Sequence, residues 1–224
     1  TTSELVFEAL ITNLFASEKS PSWFDPTSAI NRTGLTLDLN DIKVIYIFMV
    51  KNIITKIKKK DFSVCVIGLG YVGLPLASRF IEKKIKVYGI DNDLKKIKLL
   101  RKGKSYINIK KPKILDYFKK NPKNLSNKYN ILKNCDAVIV CLPTPLKKNS
   151  LKPDMSYVFN CAKKLVNFTK KNQAIILEST VYPGASKKFA QIILKNNLIL
   201  GKDIFLGYSP ERENPGDSRF SYLT

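Results

Sequence analysis

The 224-residue chain contains no histidine, only four cysteines and a single tryptophan, Trp23. Without histidine, the Ser-His-Asp arrangements and the commonest zinc ligand sets have no raw material. The cysteines, at 65, 135, 141 and 161, form no CxxC pair, and four thiols in a chain of this length do not make a disulfide framework. Cys65 and Cys141 lie inside apolar runs, where a thiol packs as a small hydrophobe. No bound metal is expected. The longest unbroken apolar run, Val44 to Val50, is far too short to cross a bilayer, and the first residues lack the basic stretch and apolar block of a signal peptide. A cytoplasmic protein with no membrane partner is the expectation.

Acidic residues are also scarce, 18 against 39 basic ones, for a net charge of +21. Such an excess invites a nucleic-acid reading. The distribution argues against it. Of the basic residues 34 are lysine, dispersed among asparagine and isoleucine, with no interleaved aromatics and few arginines to grip phosphates or bases bidentately. A solvated lysine surface with no nucleic-acid partner is expected, one that still attracts small anions.

Residues 1–48 differ in character, with six acidic against three basic residues and a turn-rich stretch, SEKSPSWFDPTS. Met49 then opens a basic amphipathic lead, VKNIITKIKKKDF. Two readings stand for residues 1–48: upstream sequence read through in frame before a natural start at Met49, or a genuine extension packed on the domain. The expected organisation is this extension, a domain over 49–217, and the start of a remainder over 218–224.

From residue 60 onward, short apolar runs alternate with amphipathic stretches. FSVCVIG (62–68), KVYGID (86–91), DAVIVCLP (136–143), QAIILES (173–179) and DIFLGYS (203–209) read as strands buried on both faces. Helices are expected at 71–84, 93–102, 154–171 and 185–197, with Asp154 and Ser186 as caps and Pro183-Gly184 breaking the chain before the last. Strands alternating with helices imply right-handed crossovers. The expected fold is α/β, a Rossmann-like doubly wound parallel sheet with helices on both faces.

The stretch VIGLGYVGLPLA places Gly68, Gly70 and Gly73 between the first strand and the first helix. In that context the first glycine permits a tight turn, the second lets backbone approach a pyrophosphate, and the third lets helix and strand pack closely. Free amides and the positive end of the helix dipole then face the phosphates. Asp91 closes the next strand, where its carboxylate can accept hydrogen bonds from the adenosine ribose and repel a 2′-phosphate. Lys95 and Lys96 stand close enough to soften that discrimination. NAD is the expected cofactor.

Ligands of a doubly wound sheet lie across the carboxyl ends of the strands. There the sequence offers CLPTPL, ESTVYPG and YSPERENPG, each setting prolines beside hydroxyls or charges. With VIGLGYVGLPLA and PDMSYV, these segments resemble, in order and approximate spacing, the UDP-glucose/GDP-mannose dehydrogenase family, nearest to its UDP-N-acetylglucosamine 6-dehydrogenases. The resemblance covers about residues 51–217. It implies an NAD-dependent oxidation of a sugar C6 alcohol to a carboxylate, for the synthesis of polysaccharide precursors, with a UDP-sugar substrate and homo-oligomeric full-length members. UDP-N-acetylmannosamine is the nearest alternative to UDP-N-acetylglucosamine.

By motif, the resemblance sets Tyr71 and Val72 at the pyrophosphate, Asp91 and Lys96 at the adenosine end, and Thr144 against the cofactor. It places Thr180 beside the nicotinamide and the reacting carbon, Glu211 at the water of the hydrolytic step, and Arg212 and Glu213 at the substrate. The family's nucleophilic cysteine, in a GxGxGGxC segment, has no counterpart, because the sequence contains no adjacent glycine pair. The expectation is an N-terminal NAD-binding portion, inactive alone. A stand-alone NAD-binding or regulatory module without catalysis is the alternative.

Overall fold

The five apolar runs form strands, and burial explains why the first four are continuous rather than alternating; the last, Ile204–Tyr208, was expected to be buried on both faces but lies at the edge of the described sheet and is buried only at Ile204 and Phe205. In the computed structural model, which describes residues 55–56, 59, 61–107, 113–148, 150–200 and 203–209, β1 (Ser63–Ile67) is buried at all five positions. Val64 and Val66 point into one core, with Leu74 and Ala77, while Cys65 and Ile67 point into a second, with Val158 and Leu165. A strand covered on both faces has no solvent side to make polar.

After β1 come α1 (Gly73–Glu82), β2 (Lys86–Ile90), α2 (Leu94–Arg101), α3 (Lys113–Lys120), β3 (Leu125–Ser126), β4 (Ala137–Val140), α4 (Ser156–Leu165), β5 (Gln173–Leu177), α5 (Ala185–Ile193) and β6 (Ile204–Tyr208). The six strands pair in parallel in the order β3-β2-β1-β4-β5-β6. This is the doubly wound order of dinucleotide-binding sheets. The chain winds outward from β1 through β2 to β3, then crosses back to β4 on the other side of β1. The strand order reverses there, and in sheets of this kind the reversal leaves a crevice at the carboxyl ends of the two central strands, here β1 and β4.

Two elements lie where the sequence suggested none. The helix α3 buries Ile114 and Phe118, and β3 adds only two residues to the sheet edge. The Tyr117 hydroxyl accepts from the Val87 amide at 2.9 Å and donates to the Val87 carbonyl at 3.1 Å, capping β2 beyond the reach of the short β3. The expected cap Asp154 stands one residue ahead of the N-cap position, which Met155 occupies, and from there its carboxylate accepts from the Ser156 amide at 2.9 Å. Ser186 does not cap: α5 begins at Ala185, and Gly184, at φ +89°, is the residue that turns the chain into it, so Ser186 already lies in the first helical turn. The helix Asp93 initiates was expected at 93–102, and there the aspartate takes the capping role itself, accepting from the amides of Lys95 and Lys96.

Among the described residues no helix is long and apolar enough to cross a membrane. Residues 1–48 and 218–224 lie outside the described residues, as does the part of the central segment beyond Ser209.

Candidate dinucleotide site

The turn from β1 into α1 is built by glycines that differ sharply in their surroundings. Gly68 has φ +91°, and its amide donates to the Ile90 carbonyl at 2.8 Å, tying the turn to β2. A Cβ at Gly68 would stand 2.3 Å from the Cys141 carbonyl oxygen, so β4 closes tightly on the turn. At Gly73 a Cβ would stand 1.9 Å from the Gly68 carbonyl oxygen and 3.1 Å from Val66 Cγ1. That is the close helix-strand approach only glycine permits. Gly70 is the opposite: a Cβ there would meet nothing within 4 Å, and its φ is not in the left-handed region. The space in front of Gly70 is open, and the amides of Gly70, Tyr71 and Val72 have no acceptor among the described residues. Tyr71 is 75% exposed at the mouth of this opening.

This contrast is expected to separate folding from binding. Gly70→Val is expected to leave the thermal midpoint near wild type and to weaken NAD more than tenfold, about 1.4 kcal/mol, by filling the open space. Thermal unfolding and calorimetric titration of the same preparation check both halves. A loss of stability equal to the loss of binding would refute the separation.

Asp91 is buried at the end of β2. Its Oδ2 accepts from the Leu69 amide at 2.9 Å, and its Oδ1 from the Asp93 amide at 2.9 Å. Lys96 Nζ approaches Oδ2 at 3.7 Å. The carboxylate therefore ties the glycine turn to the start of α2. Each carboxylate oxygen keeps acceptor capacity for a ribose hydroxyl. Leu69, fully buried, inserts its side chain over Gly89 of β2, where any Cβ would lie 2.9 Å from Leu69 Cδ1.

Across the crevice the loops after β4 and β5 are joined. The Thr144 hydroxyl donates to the Thr180 carbonyl at 2.9 Å. Ser179, buried, accepts from the Leu142 amide at 2.8 Å and donates to the Val140 carbonyl at 3.3 Å. Thr180 itself is exposed. The structure thus gathers Gly68, Gly70, Tyr71, Val72, Gly73, Asp91 and Lys96 on the β1-β2 side and Thr144 and Thr180 on the β4-β5 side. Glu211, Arg212 and Glu213 lie outside the described residues.

Two further residues at these strand ends, Leu69 and Ser179, have no counterpart among the expected site residues, and neither has Tyr106, beyond α2, whose hydroxyl donates to the Leu69 carbonyl. Ser179 was within reach, since it sits inside the ESTVYPG segment beside Thr180. Nothing near Tyr106 in the sequence marked it.

None of the four cysteines forms a disulfide, and all four are buried. Burial pushes the Cys65 thiol well above its ordinary range, reinforced by Cys135 beside it. Burial also drives Cys161 up to about 11, against the opposing pull of Tyr129 and Lys164. Thiols so placed are poor nucleophiles at neutral pH. Among the described residues no group of three or more His, Cys, Asp or Glu side chains could hold a metal ion.

A parallel sheet in 3-2-1-4-5-6 order, with a glycine turn at its reversal point and an acid closing the second strand, defines a dinucleotide-binding domain. Residues 62–223 match the model of the NAD binding domain of the UDP-glucose/GDP-mannose dehydrogenase family, and the chain belongs to that family. Its cofactor is NAD.

The chain is 39% identical over 163 residues to a UDP-N-acetyl-D-glucosamine 6-dehydrogenase of Pseudomonas aeruginosa, the match covering 70% of this chain and 37% of that protein. It is 35% identical to a UDP-N-acetyl-D-mannosamine dehydrogenase of Methanococcus maripaludis, covering 68% of this chain and 35% of that one. Among solved structures, the UDP-D-ManNAc dehydrogenase of Pyrococcus horikoshii superposes with a TM-score of 0.63 at 29% identity, covering 69% of this chain and 37% of that chain. The chain spans little more than a third of the length of the curated relatives it matches.

Proposed function

We propose that this chain is the cofactor-binding portion of an NAD-dependent nucleotide-sugar 6-dehydrogenase, acting on a UDP-N-acetylhexosamine and first of all on UDP-N-acetylglucosamine. The observation that carries the reading is the open space at Gly70, beside three amides that have no acceptor among the described residues, at the reversal point of the sheet. The 39% identity to a UDP-N-acetyl-D-glucosamine 6-dehydrogenase supports the choice of sugar. Four buried cysteines outside any disulfide accord with a reducing, cytoplasmic compartment.

In this reading, bound NAD supplies the hydride acceptor for oxidation at the sugar C6. The amides of Gly70, Tyr71 and Val72 hold the pyrophosphate, helped by the positive end of the α1 dipole. Asp91 and Lys96 hold the adenosine ribose. Thr144, bonded to the Thr180 carbonyl, fixes the loop that carries the Thr180 hydroxyl toward the reacting carbon, where it relays a proton. Glu211 orients water for the hydrolytic step, and Arg212 and Glu213 contact the substrate.

A second reading, an NAD-binding module without catalysis, is favoured by the burial of every thiol. The 224-residue polypeptide by itself is expected to bind NAD and to give no sustained NADH with UDP-N-acetylglucosamine, UDP-N-acetylmannosamine or UDP-glucose. Fusing it to the C-terminal portion of the Pseudomonas aeruginosa relative distinguishes the two readings. The enzyme reading expects sugar-dependent NADH formation that is lost in Thr180→Ala and Glu211→Gln forms. A chimera that binds NAD and UDP-sugar yet never turns over would favour the module.

A further inference from the structure

Leu69, between the first two glycines of the turn, has both of its backbone polar groups engaged from the protein side. Its amide donates to Asp91 Oδ2 at 2.9 Å, and its carbonyl accepts the hydroxyl proton of Tyr106. Tyr106 lies 37 residues further along the chain, beyond α2, and is partly buried. Lys96 Nζ stands 5.4 Å from the centroid of the Tyr106 ring, over its face, while also facing Asp91. One tyrosine therefore touches the glycine turn through its hydroxyl and the lysine at the ribose end through its ring.

A trans peptide is planar, with its carbonyl and amide pointing to opposite sides. Drawing the Leu69 carbonyl toward Tyr106 turns the Gly70 N–H the other way, where it meets no acceptor among the described residues. We propose that Tyr106 is a positioning residue for NAD: its hydroxyl fixes the Leu69-Gly70 peptide so that the Gly70 amide is presented to the pyrophosphate before the cofactor arrives. The inference rests on the NAD-binding assignment and adds to it a residue outside the glycine motif. Preorganised donors bind an anion without first being reoriented, so the hydroxyl contributes to affinity though it need not touch the ligand. Burial, together with Asp91 and Asp93 nearby, holds the Tyr106 phenol above its ordinary range, so it remains a donor throughout neutral and mildly alkaline pH.

The test is calorimetric titration of the full chain with NAD and, separately, with adenosine, which has no phosphate to meet the Gly70 amide. Tyr106→Phe is expected to weaken NAD about fivefold to tenfold, the worth of one net hydrogen bond, while leaving adenosine affinity unchanged. Replacing Tyr106 by 4-aminophenylalanine, which retains a donor, should restore most of the NAD affinity, and 4-methylphenylalanine, which fills similar volume without one, should not. That pair keeps the test decisive even if Tyr106→Phe folds poorly. Equal NAD affinity in wild type and Tyr106→Phe, or an equal loss for NAD and adenosine, would overturn the positioning role. A wild-type chain that binds no NAD would overturn the cofactor assignment, and this inference with it.

Discussion

Gly73→Ala is expected to lower stability by about 3 kcal/mol, the upper part of the usual range for overpacking. For a chain of this length that is about 6 to 12 °C in Tm. The single added methyl would stand 1.9 Å from the Gly68 carbonyl oxygen and 3.1 Å from the Gly68 carbonyl carbon. Both obstacles are backbone and cannot rotate aside. Nor can the Gly68 segment retreat, because its amide is bonded to Ile90 and its Cα faces the Cys141 carbonyl. Relief requires α1 to lift from β1, which exposes Leu74 and Ala77, both fully buried in the core beneath the helix. NAD affinity should fall with the fold, since the displaced helix carries the amides of the turn. Thermal unfolding followed by circular dichroism, alongside NAD titration, checks this. A Gly73→Ala protein with wild-type Tm would show that the helix-strand approach is looser than described.

Asp91→Ala should give the second large effect, one that stability and binding share. Removing the carboxylate strands the buried Leu69 amide without an acceptor, at a cost of about 1 to 3 kcal/mol. It also releases the Asp93 amide and leaves Lys96 without its anionic neighbour. For NAD, losing charged acceptors at the ribose is worth about 1.5 to 3 kcal/mol, roughly tenfold to 150-fold in affinity. The ratio of NAD to NADP affinity provides a separate readout, because the carboxylate is the group proposed to repel a 2′-phosphate while Lys95 and Lys96 remain. In Asp91→Ala that ratio should shrink by about tenfold or more. Asp91→Asn, which keeps an oxygen for the Leu69 amide, should recover most of the stability and only part of the discrimination. A ratio unmoved by either substitution would place cofactor choice elsewhere.

The strands β1, β2, β4 and β5 were legible because each is an apolar run buried almost throughout, a requirement written in consecutive residues, whereas β6 was found by its apolar run although only Ile204 and Phe205 of it are buried. Helices were placed correctly but drawn too long. The helix expected at 154–171 is α4 and runs only Ser156–Leu165, because apolar residues continue after the helix as loop packing, Phe168 against Tyr129 for example. The helix α3 and strand β3 went unseen for a different reason. KILDYFKK lies in a lysine-rich stretch with only Ile114 and Phe118 fully buried, and a two-residue strand has too few residues to show any period.

At the site, the glycine turn and Asp91 could be read directly, because a strand, a tight turn, a helix and the end of the next strand occupy one short span with fixed steric demands. The sequence by itself determined the alternation of strands and helices, the turn only glycine can make at Gly68, and the family the motifs resemble. Only the tertiary structure decided that β4 lies against β1, so that Cys141 closes on Gly68, and that Asp91 and Tyr106 engage Leu69 from both ends. It likewise decided that Ser179 anchors the Leu142 amide and that Thr144 holds the Thr180 carbonyl, contacts joining residues 36 and 37 positions apart. The physical reason is one of range. Burial periodicity and backbone sterics act between neighbours in the chain, whereas the pairing of a particular hydroxyl with a particular carbonyl follows from how all the elements pack together, a sum no local stretch of sequence contains.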